Sequence, residues 1–503
     1  MRFIYMVSRV KTVAFSGIEA LGVDVQVQVL PTGKQEIVIV GLPDKTVGES
    51  RERIRACFHA IGLSLPYTRI SVNLAPADVT KEGTHYDLPI TLGILMEIGV
   101  LKELELSPYL VIGELGLDGT LAPISGVLPA AIHAVEHGLG IICPEVCGPE
   151  AAWGGDLQIL APFNIVHLMN HFKGKQILTQ PKPILSEMRP TGPNLKDIKG
   201  QESAKRVLEI AAAGGHNMLM IGPPGSGKSM LASRLPGILP PLEPREALEV
   251  TMIHSIAGKL PDGKLIRSRP FRDPHHSSSL PSLVGGGVKS QPGEISLAHQ
   301  GVLFLDELPE FKRSTLESLR QPLESGKVTI ARANSHVTYP SRFQLIAAMN
   351  PCKCGYLDDT ARSCGRAPKC SVDYQGRISG PIFDRIDLHI EVPEVCISKI
   401  NEPGNGESSE VIAQRVRAAR AIQNERAGVL NSLSDGEALD EILHLNQDAK
   451  DLLGNVIKKI KFSARGYTRL LRVSRTIADL EQSDSITKAH ISEAISYRRL
   501  YFK

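Results

Sequence analysis

Three hydrophobic patterns follow one another along the chain. Up to about residue 172, short alternating runs, VDVQVQVL (23–30), EIVIVG (36–41) and RISVNL (69–74), are interleaved with segments of helical period, ESRERIRACFHAIG (49–62) and LPITLGILMEIGV (88–100). Period-two strands bury one face and amphipathic helices cover it, which predicts an α+β layer fold. In the middle of the chain the apolar runs lose their polar face: Met218–Ile221, Val302–Leu305 and FQLIAAM (343–349) are continuous. Such runs belong to strands covered on both sides, as in a parallel α/β sheet. Beyond about residue 408 the period is helical throughout, in SEVIAQRVRAARAIQNERAG, LNQDAKDLLGNVIKKIK, SARGYTRLLRVSRTIADLEQ and TKAHISEAISYRR. Leu470, Leu471, Ile477 and Leu480 form one apolar stripe there, with arginines on the other faces.

Proline-rich and polar stretches separate these regions. KGKQILTQPKPILSEMRPTGPN (173–194) reads as an extended linker and NEPGNGESSE (401–410) as a second break. The division expected is 1–172, linker 173–193, 194–400 and 401–503, about three domains for 503 residues. A net charge of only +3 confines any nucleic-acid contact to local loops. No apolar run approaches the ~20 residues of a membrane helix, and MRFIYMVSRV is too short in its apolar part for a secretory signal. The expectation is a cytoplasmic protein with no membrane partner.

The chemistry starts where the first continuous apolar run ends. Gly222, Pro223, Pro224, Gly225, Ser226, Gly227, Lys228 and Ser229 satisfy G-x-x-x-x-G-K-[ST], in which glycines let backbone N–H groups approach phosphate oxygens. Lys228 is expected to reach the β- and γ-phosphates of ATP and Ser229 to ligate Mg2+. The second run ends in Asp306, a partner for the same ion, and Glu307, a general base for the attacking water. The third ends in Asn350, placed to hold that water from the other side. In GPIFDRIDLHI, Arg385 lies in a polar turn between apolar runs, where it is expected to project across a subunit interface as an arginine finger.

Residues 194–395 thus resemble the AAA+ ATPases, more closely the branch that contains magnesium chelatase subunit I. PHHSSSLPSLVGGGVKSQPGEISLAHQGVLFLDELPEF is similar to that branch's helix-2 insertion, and ESGKVTIARANSHVTYP to its hairpin before the sensor-1 strand. The resemblance implies that such tips line a ring pore. Lys289 and Arg332 are the candidate DNA contacts, whose loss should flatten the salt dependence of binding. The helical end looks like the AAA+ lid, with Arg465 at the sensor-2 position and Arg469, one turn on, as the alternative.

KEGTHYDLPITLGIL and GELGLDGTLAPISGVLPAAIHA resemble the Lon-protease-type domain. A Lon-type protease needs a serine activated by a lysine. His85 occupies the serine position and Ala130 the lysine position, so the fold is expected without the proteolysis. His85 reads as a packed structural histidine, and His275 and His276 as loop residues near nucleotide or pore.

Of eight cysteines, Cys352, Cys354, Cys364 and Cys370 cluster in NPCKCGYLDDTARSCGRAPKC. They could close a tetrahedral Zn2+ site or remain free cytosolic thiols. Cys57, Cys143, Cys147 and Cys396 read as small apolar core or surface residues.

Taken over nearly the whole chain, the arrangement resembles the YifB/ComM family. That implies a homo-hexameric ring hydrolysing ATP to drive branch migration of branched or single-stranded DNA during natural transformation, alongside recombination proteins. The alternative is a chelatase-like or unfoldase-type remodeller of a metal-macrocycle or protein complex. The N-terminal domain, unlike anything in the chelatase subunit, argues against the macrocycle.

Overall fold

In the computed structural model, residues 7–30, 35–185, 193–287, 290–332, 335–357, 362, 364–395, 406–459 and 463–498 are described. The N-terminal region is built on a seven-stranded mixed sheet. Its strands are β1 (Ser8–Ser16), β2 (Glu19–Leu30), β3 (Glu36–Val40), β4 (Arg69–Ala75), β5 (Tyr109–Val111), β6 (Gly140–Ile142) and β7 (Ile159–Leu160), in the order β3-β4-β2-β1-β5-β6-β7. The long β1–β2 and β2–β4 pairs are antiparallel and the outer pairs parallel. Val23, Val25 and Val27 are buried while the residues between them are not, as the alternation requires. Helix Lys45–Ala60, capped by Asp44 through Val47 N–H, and helix Asp87–Glu97, buried from Asp87 through Met96, close the core on one side. Helix Val127–Glu136 covers the other.

The central region is a five-stranded parallel sheet of β8 (Met218–Ile221), β9 (Phe271–Arg272), β10 (Val302–Leu305), β13 (Gln344–Met349) and β14 (Leu388–Glu391), ordered β9-β10-β13-β8-β14. Every residue of β8, β10 and β13 is buried, because helices cover both faces. β8 lies between β13 and β14, so the loop after β8 and the carboxyl ends of β10 and β13 meet at one edge of the sheet. Ligands bind at such carboxyl ends in open α/β sheets. Of the C-terminal helices Ser409–Ala427, Gly436–Ile442, Gln447–Lys459, Ala464–Leu480 and Lys488–Ser496, the first and fourth pack against helix Glu202–Gly214, and the expected stripe of Leu470, Leu471, Ile477 and Leu480 is buried in the shared core.

A hairpin of β11 (Lys327–Arg332) and β12 (Ser335–Pro340) projects before β13. Val328, Ile330, Val337 and Tyr339 are buried on one face against Ile18, Ile256 and Val284, while Thr329 and Thr338 stay exposed on the other. Ile18 brings the N-terminal domain to the hairpin, and Ile256 and Val284 of the central region complete the cover. A second contact joins the same domains: Ser255 Oγ donates to Glu150 Oε1 at 2.5 Å, and Leu128 N–H donates to the same oxygen at 2.9 Å. Burial raises the Glu150 carboxyl above its ordinary range, against the lowering effect of those two donors.

Candidate functional site

The loop after β8 is shaped by two left-handed glycines, Gly225 at φ +77° and Gly227 at φ +92°. Side chains rarely adopt that conformation, and a Cβ at either position would meet nothing within 4 Å, so the loop presents open backbone on its outer face. Short helix Lys228–Ala232 follows, with first-turn N–H groups that have no intrahelical acceptor. Lys228 Nζ folds back to the carbonyls of Gly222 and Pro223, both at 2.8 Å, and to Asn350 Oδ1 at 3.3 Å. Burial lowers the Lys228 pKa, while the charges of Asp306 and Glu307 pull it back up. Gln201 braces the loop, donating to Ser226 O at 3.3 Å and Pro393 O at 2.6 Å.

From the loop the contacts run to the end of β10. Ser229 Oγ donates to Asp306 Oδ2 at 2.7 Å, and Asp306 Oδ1 accepts Glu307 N–H at 2.9 Å. A hydroxyl and a carboxylate oxygen side by side are the hard donors that Mg2+ takes beside a phosphate, so these residues fit the ion. Glu307 adopts φ +51°, a sparsely populated conformation for a side chain with a Cβ, and leaves its carboxylate half exposed. His276 Nδ1 lies 3.3 Å from Glu307 Oε2, so one of the two loop histidines sits at this site. Lys228, Ser229, Asp306 and Asn350 thus form one connected cluster with Glu307 adjoining.

The arginines divide into two kinds. Arg385 is only 7% exposed, unlike the polar-turn residue expected. Its backbone carbonyl accepts from Asn217 Nδ2 at 3.0 Å, and the guanidinium contacts Pro381 O at 2.6 Å and Glu324, leaving Nε without a partner among the described residues. Glu324 itself is 56% exposed, so this ion pair lies at the surface rim. Arg377 is half exposed and pairs with Glu310 at 3.0 Å.

In the lid, Arg465 is exposed at the start of its helix. Arg469 instead joins a buried network that residue spacing did not reveal: Nε lies 3.0 Å from Asp387 Oδ1, Asp387 Oδ2 contacts His216 Nδ1 at 3.1 Å, and His216 Nε2 contacts Thr476 Oγ1 at 2.8 Å. Burial alone would raise the Asp387 pKa; His216 and Arg469 more than offset it, and the net direction is down. Arg469 therefore ties lid to core, whereas Arg465, one turn earlier, is exposed.

Cys57, Cys143 and Cys147 are buried, and burial pushes the thiols up, Cys57 to about 11 and Cys147 to about 12. Lys289 and Cys396 lie outside the described residues, as does the side chain of Arg332, whose backbone ends β11. Ala130 is buried in its helix. His85 is buried with Nε2 2.9 Å from Val13 O, beside a cavity of about 760 Å³ that reaches Tyr339 of the hairpin.

Burial lowers the His85 pKa to about 4. The unfolded chain takes up a proton near pH 6.5 that the folded imidazole refuses, so stability is lost as pH falls from about 6.5 to about 4, by ~3 kcal/mol in all. His85→Asn should flatten that acid loss in denaturant titrations at pH 7 and pH 5; parallel losses in the two proteins would contradict it.

Comparison with known proteins completes the picture. The family described as magnesium chelatase, subunit ChlI, matches residues 194–400, and its C-terminal family matches 406–498. YifB of Escherichia coli (strain K12) is 44% identical, covering 98% of this chain and 97% of its own length. Competence protein ComM of Haemophilus influenzae is 42% identical over 97% of this chain and 96% of its own. The chain belongs to the YifB/ComM family. That family carries the magnesium-chelatase type of AAA+ module, in accord with the parallel sheet, the loop after β8 and the helical end, and it implies ATP and Mg2+ at the site. The magnesium-chelatase 38 kDa subunit of Rhodobacter capsulatus is a more distant relative, 23% identical over 63% of this chain and 91% of its own. A further family, described as subunit ChlI of Mg-chelatase, matches residues 24–146. The N-terminal domain therefore does not separate this chain from the chelatases, contrary to the expectation from its sequence. No helix among the described residues is long and apolar enough to cross a membrane.

Proposed function

We propose that the protein is a cytoplasmic ATP-hydrolysing ring motor that moves DNA, a branch-migration helicase acting in recombination during natural transformation. The observation that carries the DNA part is the full-length similarity to a relative named competence protein. The connected cluster of Lys228, Ser229, Asp306 and Asn350 supports ATP hydrolysis.

In that function Lys228 holds the β- and γ-phosphates, and Ser229 and Asp306 hold Mg2+, which when bound neutralises charge on the phosphates. Glu307 takes the proton of the attacking water, and Asn350 orients that water. Arg465 contacts the γ-phosphate from the lid. A neighbouring subunit of a homo-hexamer supplies Arg385, which exchanges its half-exposed partner Glu324 for phosphate oxygens. Lid movement relative to the core shifts the hairpin, with Arg332 and Lys289 gripping the DNA backbone.

Arg385→Ala should cut turnover by about 10³-fold, in the range found for arginine fingers, while leaving ATP binding intact. Normal turnover would remove Arg385, and Arg377, half exposed and earlier in the chain, would be next. A remodelling activity on a protein or macrocycle is the second reading, supported by chelatase-type matches to all three segments of the chain. ATP turnover measured with no DNA, single strands, duplex and a branched junction separates them. Stimulation by DNA is expected of the motor; turnover indifferent to every DNA form favours the remodeller.

A further inference from the structure

Immediately after β13 the chain enters a segment, 351–370, that has almost no apolar side chains with which to build a core. Order there needs a cross-link or a ligand. The Sγ atoms of Cys352 and Cys354 are 3.0 Å apart, and those of Cys352, Cys354 and Cys370 all lie within 4.8 Å of one another. Cys364 interacts with Cys354 and Cys370 and stands beside this three-thiol group as its fourth candidate ligand. Four sulfurs around one zinc, each bonded at ~2.3 Å, stand about 3.8 Å apart.

The cluster is fastened to the nucleotide site on both sides. Cys352 follows Asn350 by two residues, and Gly355 approaches the phosphate loop so closely that a Cβ there would lie 2.5 Å from Pro224 Cδ. On the far side, helix Lys369–Gln375 starts beside Cys370, and its Ser371 and Gln375 donate to Pro351 O at 2.8 and 2.7 Å. That helix leads directly into Arg377.

We propose that Cys352, Cys354, Cys364 and Cys370 together bind one Zn2+, and that the ion fixes Asn350 and the phosphate loop relative to the helix that leads to the arginine-bearing turns. Binding releases the thiol protons to solvent and leaves a closed tetrahedral site with no open position, hence a structural ion. Removing it loosens Asn350 and Pro224 and weakens nucleotide binding without touching any phosphate ligand.

The test uses the full chain, purified without chelator. Elemental analysis is expected to find about one zinc per chain, as a closed four-thiolate site requires. A mercurial thiol reagent should release that zinc, and Co2+ exchanged into the parent protein should give thiolate-to-cobalt charge-transfer absorption. Cys364→Ser should lose zinc on dialysis and bind a fluorescent ATP analogue more weakly than the parent. The Co2+ spectrum of the parent decides the metal site even if that variant fails to fold. Zinc-free parent protein whose four thiols react freely, or an iron chromophore in place of zinc, would overturn the site. Parental nucleotide affinity in folded, zinc-free Cys364→Ser protein would overturn the coupling to the ATP site.

Discussion

Lys228→Ala protein is expected to lose ATP turnover, by at least the 10²–10³-fold that removing one positioned stabilising group costs. The side chain is nine-tenths buried and folded back onto two carbonyls of the loop and Asn350, which keeps its ammonium beside the loop. Lysine can leave the carbonyls for phosphate oxygens at small cost, because it exchanges one set of oxygen acceptors for another. Alanine offers neither, and nearby Asp306 and Glu307 are left without the cation that offsets them. Phosphate release and fluorescent-nucleotide binding should therefore fall together. Parental turnover would mean that another cation holds the phosphates.

Glu307→Gln should separate binding from hydrolysis. Glutamine keeps the shape of the side chain but cannot accept a proton, which is worth typically 10²–10⁴-fold at a general base. The binding groups Lys228, Ser229 and Asp306 are unchanged, and Asp306 keeps its contact with the Ser229 hydroxyl. The variant should therefore retain ATP through gel filtration while releasing phosphate at a small fraction of the parental rate, and the proposed ring should persist with it. The strained φ of +51° at Glu307 makes the point sharper, because a residue held in that conformation has been placed for its carboxylate, not for local stability. A variant that hydrolyses ATP at the parental rate, or that fails to retain it, would exclude Glu307 as the base.

How much of this was legible beforehand depended on chain locality. β8, β10 and β13 stand out because each is a continuous apolar run ending in a chemical motif, and both faces are buried as the run implies. β9 is only two residues long, and β5, β6 and β7 have two or three each, too short for any period to show. Helix Gly436–Ile442 was missed for the same reason. The lid stripe was visible because one helix carries all of it.

Arg385 is more buried than a polar turn suggests, and its neighbour Asp387 is the buried partner of His216 and Arg469. Such a network is assembled from distant segments and leaves no spacing to read. The hairpin was recognised from its β-branched flanks, but alternation alone does not say what covers the apolar face. Ile18 and Val284 supply that cover.

In the proposed function, ATP hydrolysis at the cluster of Lys228, Ser229 and Asp306 moves DNA strands past one another. The most direct measurement follows a labelled synthetic junction with long homologous arms, incubated with purified protein and ATP, and scores the strands exchanged over time, with Lys228→Ala as control. A DNA motor should exchange strands with ATP and not with the variant. Vigorous ATP hydrolysis with the junction left unmoved would contradict it and direct the search to a protein or macrocycle substrate.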